Sequence, residues 1–217
     1  MNIITFLREL SQNNHREWFE SHRSNYELAK SDLLTLAGGL ISEISAFDQT
    51  IQHLDPKKCI FRINRDVRFS KDKSPYKQYM SAFFSKDGKS SQSAGYYIHF
   101  EPDNCFVGGG VYSPPPEVQQ AIRSEIYFNS SEFVDIIERD SFKKTFGSLQ
   151  YDKYFRVPKG FPPDFAFGEL LKFKQYVASC PLPDNIVQGT DIEQFAIGIF
   201  KELYPLNQFL NRAIQNF

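Results

Sequence analysis

Cysteine is scarce in this chain of 217 residues. Cys59, Cys105 and Cys180 are far apart, odd in number and in no CxxC pair. Such a set is not a disulfide framework, and it predicts a reducing, cytoplasmic setting. Long apolar runs are missing as well. No window approaches about 18 uninterrupted apolar residues, which argues against a membrane-spanning helix and against a membrane partner. The opening stretch Met1-Asn2-Ile3-Ile4-Thr5-Phe6-Leu7-Arg8-Glu9 has no basic region followed by an apolar one, so no signal peptide is expected. There is no repeat, no low-complexity tract and no visible linker, and the length suits a single domain over 1–217. The common chemical signatures are absent too. Without HExxH, a Cys-rich cluster, Gly-x-Ser-x-Gly or Gly-x-x-x-x-Gly-Lys-Ser/Thr, readings as a zinc protease, a serine hydrolase or a P-loop protein have no support. No metal and no cofactor are expected.

Aromatic residues, by contrast, are plentiful at 16% of the chain, with 22 Phe and 11 Tyr. At this length roughly 70% of the unfolded surface can be buried on folding, so these rings can build a core and still wall a pocket. The net charge of −1 hides an asymmetry. Residues 56–89 hold ten Lys/Arg against three Asp, a local +7, and the remainder holds 15 basic and 23 acidic residues, a net −8. One surface is thereby suited to anions while the rest favours solubility.

The hydrophobic pattern predicts an α+β fold. A short helix is expected over about Thr5–Leu10. From Asn13 onward Trp18, His22, Tyr26, Leu33, Ala37, Leu40, Ile44 and Phe47 recur at helical spacing on one face, interrupted by Gly38-Gly39, which can kink the helix or admit a neighbour. After Pro56 the period changes to two: Cys59, Phe61, Ile63, Val67 and Phe69 alternate with polar residues as in a half-buried strand. Tyr79–Ser85, Tyr96–Phe100 and Phe106–Tyr112 read as further strands with short connections. The expected sheet is mainly antiparallel, with about four or more strands within residues 59–112, packed by N-terminal and C-terminal helices. Helices are predicted from Pro116, from Asn129 through a variant capping box ending at Glu132, over Phe167–Val177, and over Asp191–Leu203 with a break at Pro205. Residues 151–165 read as irregular.

One stretch stands out: Phe61-Arg62-Ile63-Asn64-Arg65-Asp66-Val67-Arg68-Phe69-Ser70-Lys71-Asp72-Lys73-Ser74-Pro75-Tyr76-Lys77. On a regular strand Arg62, Asn64, Asp66 and Arg68 share the polar face, and Arg65 falls between Ile63 and Val67 on the other. A guanidinium there demands a partner, either a carboxylate or a bound anion, unless a bulge turns it outward. Asp66, about 7 Å from Arg68 along one face, reads as an ionised carboxylate that orients the arginines. Lys73 and Lys77 flank the Ser74-Pro75 turn, and Tyr76 adds a phenol. Arginine forks with lysine point charges suit phosphate or carboxylate, but ion-pair networks are built of the same residues.

The pattern Arg62-x-x-Arg65-Asp66-x-Arg68-Phe69 followed by Asp72-Lys73-x-x-Tyr76 resembles the signature of a bacterial family of conserved hypothetical proteins, domain of unknown function 2461. Further matching pieces are Asn14-His15-Arg16-Glu17-Trp18-Phe19, Gly108-Gly109-Gly110-x-Tyr112 and Pro158-Lys159-Gly160. The resemblance spans nearly the whole chain. It implies no activity, because that family has none assigned.

Other residues carry weaker signals. Gly109, in a strand, marks a bend or a close approach by a backbone or a ligand. Lys159, between Pro158 and Gly160, is placed to swing onto an anion or to stay solvated. His15 and His22, roughly 10 Å apart along a helix, are too distant for one metal. His99 and Glu101 share a strand face as an acid–base pair or a surface pair. The candidate ligand-binding set is Arg62, Arg65, Asp66, Arg68, Lys73, Tyr76, Lys77, Gly109 and Lys159, with no catalytic residue assigned. Three functions fit: a site for an anionic small molecule, an interaction domain in which the arginines lock structure, and a nucleic-acid surface. A pI near 6.4 and the shortness of the basic stretch count against the last. The sequence specifies no oligomeric state.

Overall fold

The computed structural model describes residues 2–90, 92–149, 152–189 and 191–216. Tyr151, the first residue of the predicted irregular segment, lies outside them. The chain opens with α1 (Asn2–Gln12), α2 (Arg16–Ser21) and α3 (Arg23–Ser45), then a turn of 3-10 helix and the single-turn α4 (Pro56–Cys59). The strands β1 (Met80–Phe84), β2 (Gly95–Phe100) and β3 (Phe106–Val111) follow, then α5 (Pro116–Phe128), α6 (Ser130–Ile137), α7 (Asp140–Phe146) and α8 (Gly168–Leu171). The strand β4 (Tyr176–Pro181), α9 (Asp184–Gln188) and α10 (Ile192–Gln215) complete the fold. The four strands form one antiparallel sheet in the order β1-β2-β3-β4, and the fold is α+β with helices at both ends of the chain. Among the described residues no helix is long and apolar enough to cross a membrane.

Two compact units are distinguished. The first comprises Met1–Phe84, Tyr97–Val107 and Pro181–Ile197. Its helical core forms because Ile3, Phe6, Leu7 and Leu10 repeat at three and four residues along α1, and Ala29, Leu33, Leu36, Ala37, Leu40 and Ile44 do so along α3, so each helix buries one stripe. The predicted single helix is broken at His22, whose backbone leaves the helical region. The His22 ring stacks on Trp18 at 4.2 Å. Leu33 and Leu40 are fully buried, whereas Trp18 and Tyr26 are half-buried. The helix α3 continues through the glycine pair, and Gly39 leaves room for the Glu193 carboxylate, which a Cβ would overlap.

The second unit comprises Ser85–Tyr96, Gly108–Cys180 and Gly198–Phe217. Its part of α10 runs through Pro205, where the sequence predicts a break. Proline removes one helical hydrogen bond at a cost of ~3 kcal/mol. Leu203, Leu206, Phe209 and Leu210 are all buried, and each contributes about 1.5–3 kcal/mol by leaving water, which outweighs that loss. The predicted capping box of α6 is not made. Asn129 Nδ2 instead donates to Glu125 Oε1 at 3.0 Å, and Glu132 is taken by a two-pronged contact from Arg212.

Two strand assignments also change. The segment 59–69, predicted as a strand, is the end of α4 followed by isolated bridges, Ile60 with Ala82 and Asn64 with Tyr76. The segment 167–177, predicted as a helix, keeps one helical turn and then enters β4, a strand outside residues 59–112. Side chains of α5 explain the second change. Arg123 donates to the carbonyls of Leu171 and Phe173, and Gln119 to that of Lys174, so these carbonyls are turned away from a helical ladder.

Candidate functional site

The arginine motif lies in the first unit. Residues 61–65 run antiparallel to 75–81, held by Phe61 N to Ser81 O at 3.0 Å, Arg65 N to Pro75 O at 2.9 Å and Lys77 N to Ile63 O at 2.8 Å. Residues 66–74 form the loop between them. The two-residue alternation survives without a regular strand: Ile63 is buried and Arg65 and Val67 are half-buried, while Arg62, Asn64, Asp66 and Arg68 are exposed. Phe69 departs from it, being 95% exposed at the loop, with the Arg68 guanidinium 5.8 Å from its ring.

Arg65 finds a protein carboxylate, and that carboxylate is Asp72 rather than Asp66. Its Nη1 donates to Asp72 Oδ2 and, at 3.2 Å, to the Ser74 carbonyl, and Nη2 reaches Ser70 Oγ at 3.4 Å. The Arg65 fork therefore closes the loop across its two ends. Asp72 Oδ1 also accepts from the Ser74 amide at 2.9 Å and hydroxyl at 2.6 Å. The Ser74 donors, with Arg65 beside them, hold the Asp72 carboxyl down at about 2.

Asp66 is occupied by Arg68, with Nε at 3.0 Å and Nη2 at 2.6 Å. That bidentate contact, and the Arg68 amide, lower the Asp66 pKa. Lys73 caps the loop through Nζ to the Val67 carbonyl at 3.0 Å. Arg62 is exposed and makes no hydrogen bond among the described residues.

Tyr76 joins two separate pieces of sequence. Its ring stacks on Phe19 at 4.0 Å. Its amide donates to Asn14 Oδ1 at 3.1 Å, and its carbonyl accepts from Asn14 Nδ2 at 2.9 Å. Asn14 and Phe19 belong to the early Asn14–Phe19 segment, so that segment and the arginine motif are one structural assembly. Burial raises the Tyr76 phenol above its ordinary range. Lys77 Nζ lies 5.7 Å from the Phe61 ring and 5.5 Å from the Tyr79 ring, at cation–π distance.

Arg65, Asp66, Asp72, Tyr76, Lys77, Gln78, Tyr79 and Glu101 line one open groove of about 440 Å³. The structure thus brings Arg65, Asp66, Tyr76 and Lys77 together, with Arg68 and Lys73 on the adjoining loop. Gly109 and Lys159 belong to the second unit and line no part of this groove. At Gly109 a Cβ would fall on the Gly95 carbonyl oxygen, so its bareness serves close strand packing. Lys159 is exposed in a turn followed by Gly160 at φ +96°.

Sequence reasoning missed Asp72 as the partner of Arg65, and missed Tyr79 and Glu101 as lining residues. The available signal was the alternation Tyr97-x-His99-x-Glu101, which puts Tyr97 and His99 on one face of β2 and Glu101 just past its end. His99, weighed as a surface pair with Glu101, is buried at 7% exposure. Among the described residues no three His, Cys, Asp or Glu side chains gather as metal ligands.

These features define an α+β protein with a mixed-charge groove beside an arginine-closed loop. The conserved hypothetical protein family DUF2461 matches residues 2–209, and the chain belongs to that family. No curated protein and no solved structure matches it.

Proposed function

We propose that the groove beside the 66–74 loop binds a small molecule carrying a phosphate or carboxylate. The observation behind this reading is that Arg65 and Lys77 line the same groove of about 440 Å³, a size suited to a small ligand. The carboxylates at its rim are largely satisfied within the loop: Asp66 by Arg68 and Asp72 by Ser74 and Arg65. Lys77, supported by two ring faces, supplies the main point charge, and the Arg65 fork supplies oriented N–H groups.

Isothermal titration calorimetry with inorganic phosphate tests this reading. Binding at low salt, weakened about tenfold by Lys77→Ala as expected for one lost charge-assisted contact, supports it. The melting temperature should rise with phosphate concentration, because the ligand binds only the folded chain.

A second reading has its own support. Arg65 and Arg68 already hold carboxylates, which suits an interaction domain whose arginines lock the loop. A melting temperature indifferent to phosphate, with Arg65→Lys still lowering it, favours that lock.

A further inference from the structure

Strand β2 and the residue that follows it carry three polar side chains at alternate positions. Tyr97, His99 and Glu101 alternate with Ile98 and Phe100, and the two-residue period puts them on one side. The His99 ring stacks on Phe106 at 4.6 Å and lies 4.8 Å from the Tyr79 ring. Both of its nitrogens are engaged: Nδ1 is 2.9 Å from the Tyr97 hydroxyl and Nε2 is 3.4 Å from Glu101 Oε2. Burial lowers the His99 pKa, against an opposing pull from Glu101, so the ring is neutral at pH 7. A neutral imidazole has one N–H and one acceptor nitrogen, and a carboxylate only accepts. The proton therefore sits on Nε2, which donates to Glu101, and the Tyr97 hydroxyl donates to Nδ1.

Glu101 reaches the groove. Its Oε2 also accepts from Asn104 Nδ2 at 2.6 Å, and its Oε1 has no hydrogen-bond partner among the described residues. Asp66 and Asp72, the other acids of the groove, are held by Arg68 and by Ser74 with Arg65. Glu101 is thus the groove carboxylate with an oxygen left for a ligand.

Resting on the anion-binding reading above, we propose that Glu101 is the general base of the groove, and that His99 and Tyr97 are positioning residues that aim its carboxylate at a bound anionic molecule. The groove is then a catalytic site for proton transfer. Glu101 takes the proton from an acidic O–H or C–H of the ligand, and the electron pair of that bond stays on the ligand. The proton leaves to water from the Glu101 side chain, which is 33% exposed. The groups facing this relay are Tyr79, with Lys77 beside it, and Cys105, whose Sγ donates to the Glu101 carbonyl at 3.2 Å.

Inorganic phosphate is the probe, at about pH 5, where it stays a monoanion. A bound anion raises the proton affinity of a neighbouring carboxylate, so binding takes up protons, read by calorimetry in two buffers of different ionisation enthalpy. In Glu101→Gln the uptake disappears while phosphate affinity stays within about threefold. Imidazole ¹⁵N NMR at pH 7 should show His99 as the Nε2–H tautomer, with the Nδ1 resonance displaced in Tyr97→Phe, a response that packing alone does not give. Phosphate binding with the same proton uptake in wild type and Glu101→Gln overturns the base and leaves the groove reading standing. An Nδ1–H tautomer overturns the positioning role. A wild-type chain that does not bind phosphate overturns the groove reading and the base together.

Discussion

Two arginines, one in each unit, show what a guanidinium does in two different settings. Arg123 lies on α5 at 5% exposure, and its Nε and Nη2 donate to the backbone carbonyls of Leu171 and Phe173 at 2.8 and 3.2 Å. Its guanidinium also lies 5.3 Å from the Tyr154 ring, and among the described residues it makes no ion pair. Arg65 is 26% exposed and faces a carboxylate, a hydroxyl and one carbonyl at the edge of a groove. Arg123 satisfies buried backbone carbonyls and is committed to the fold. Arg65 organises a short loop beside open space. Burial and the type of acceptor, rather than the number of hydrogen bonds, separate a structural guanidinium from one available for function.

The sharpest way to break this contrast is Arg123→Ala. It leaves two buried carbonyls without their charged donor, and hydrogen bonds of that kind contribute ~1.5–3 kcal/mol each. Urea unfolding should show a loss of about 3 kcal/mol or more, with Arg123→Lys recovering only part of it because Lys lacks the fork that spans both carbonyls. A loss no larger than that of an exposed substitution would mean that water replaces the guanidinium and that the two arginines are alike.

Arg65→Ala should act locally. Without the fork that ties residue 65 to residues 70, 72 and 74, the loop loses its closure, while the paired segments on either side keep their backbone hydrogen bonds. Hydrogen exchange should speed up within residues 66–74 and change little along α1 and α3. A global drop in stability matching that of Arg123→Ala would place Arg65 in the structural class.

This contrast also marks what the sequence could disclose. The motif was legible because ten cations crowd into 34 residues and because Arg65 interrupts an apolar alternation. The alternation predicts that Arg65 needs a partner, and it has one. The identity of that partner was hidden, because Asp72 reaches Arg65 only once the chain turns back at Ser74-Pro75. Arg123 gave no signal at all: it sits beside Ile122 on an ordinary amphipathic helix, and its acceptors are carbonyls about fifty residues away. The same long-range contacts explain why 167–177 reads as a helix and keeps only one helical turn before β4 begins at Tyr176. Strands β1 to β3 and helices α1, α5 and α10 were readable because their periodicity is local. Pro205 was misleading because the hydrophobic burial around it overrides its local preference.

The pH dependence of Asp72 refines the comparison. Its folded pKa of about 2 lies below the ordinary value of 3.8, so its stabilising contribution is complete above roughly pH 4 and is lost as the pH falls towards 2. Asp72→Asn should therefore unfold at a lower urea concentration than wild type at pH 6, and the two midpoints should converge near pH 2. Arg123 contacts carbonyls that do not titrate in this range, so the deficit of Arg123→Ala should persist at both pH values. Two deficits that fade together would mean that one acid-labile network holds both arginines.

The smallest effect on stability is expected from Asp66→Asn. Asp66 and Arg68 are 45% and 77% exposed, and ion pairs in that setting are screened and add little to folding. Unfolding midpoints of wild type and variant should coincide. Phosphate binding should nevertheless change. Asp66 lines the groove, and removing its charge relieves repulsion of an anion bound near Lys77. At a separation of roughly 7 Å in water that repulsion is ~0.6 kcal/mol, so phosphate affinity should rise about threefold at low ionic strength. The gain should fade at 0.5 M salt, where screening is stronger. Arg123→Ala is expected to show the reverse at a temperature where it stays folded: a stability deficit with phosphate affinity unchanged. If Asp66→Asn left both stability and phosphate affinity untouched at low salt, the groove would not be where the anion sits, and Arg65 would join Arg123 as a structural guanidinium.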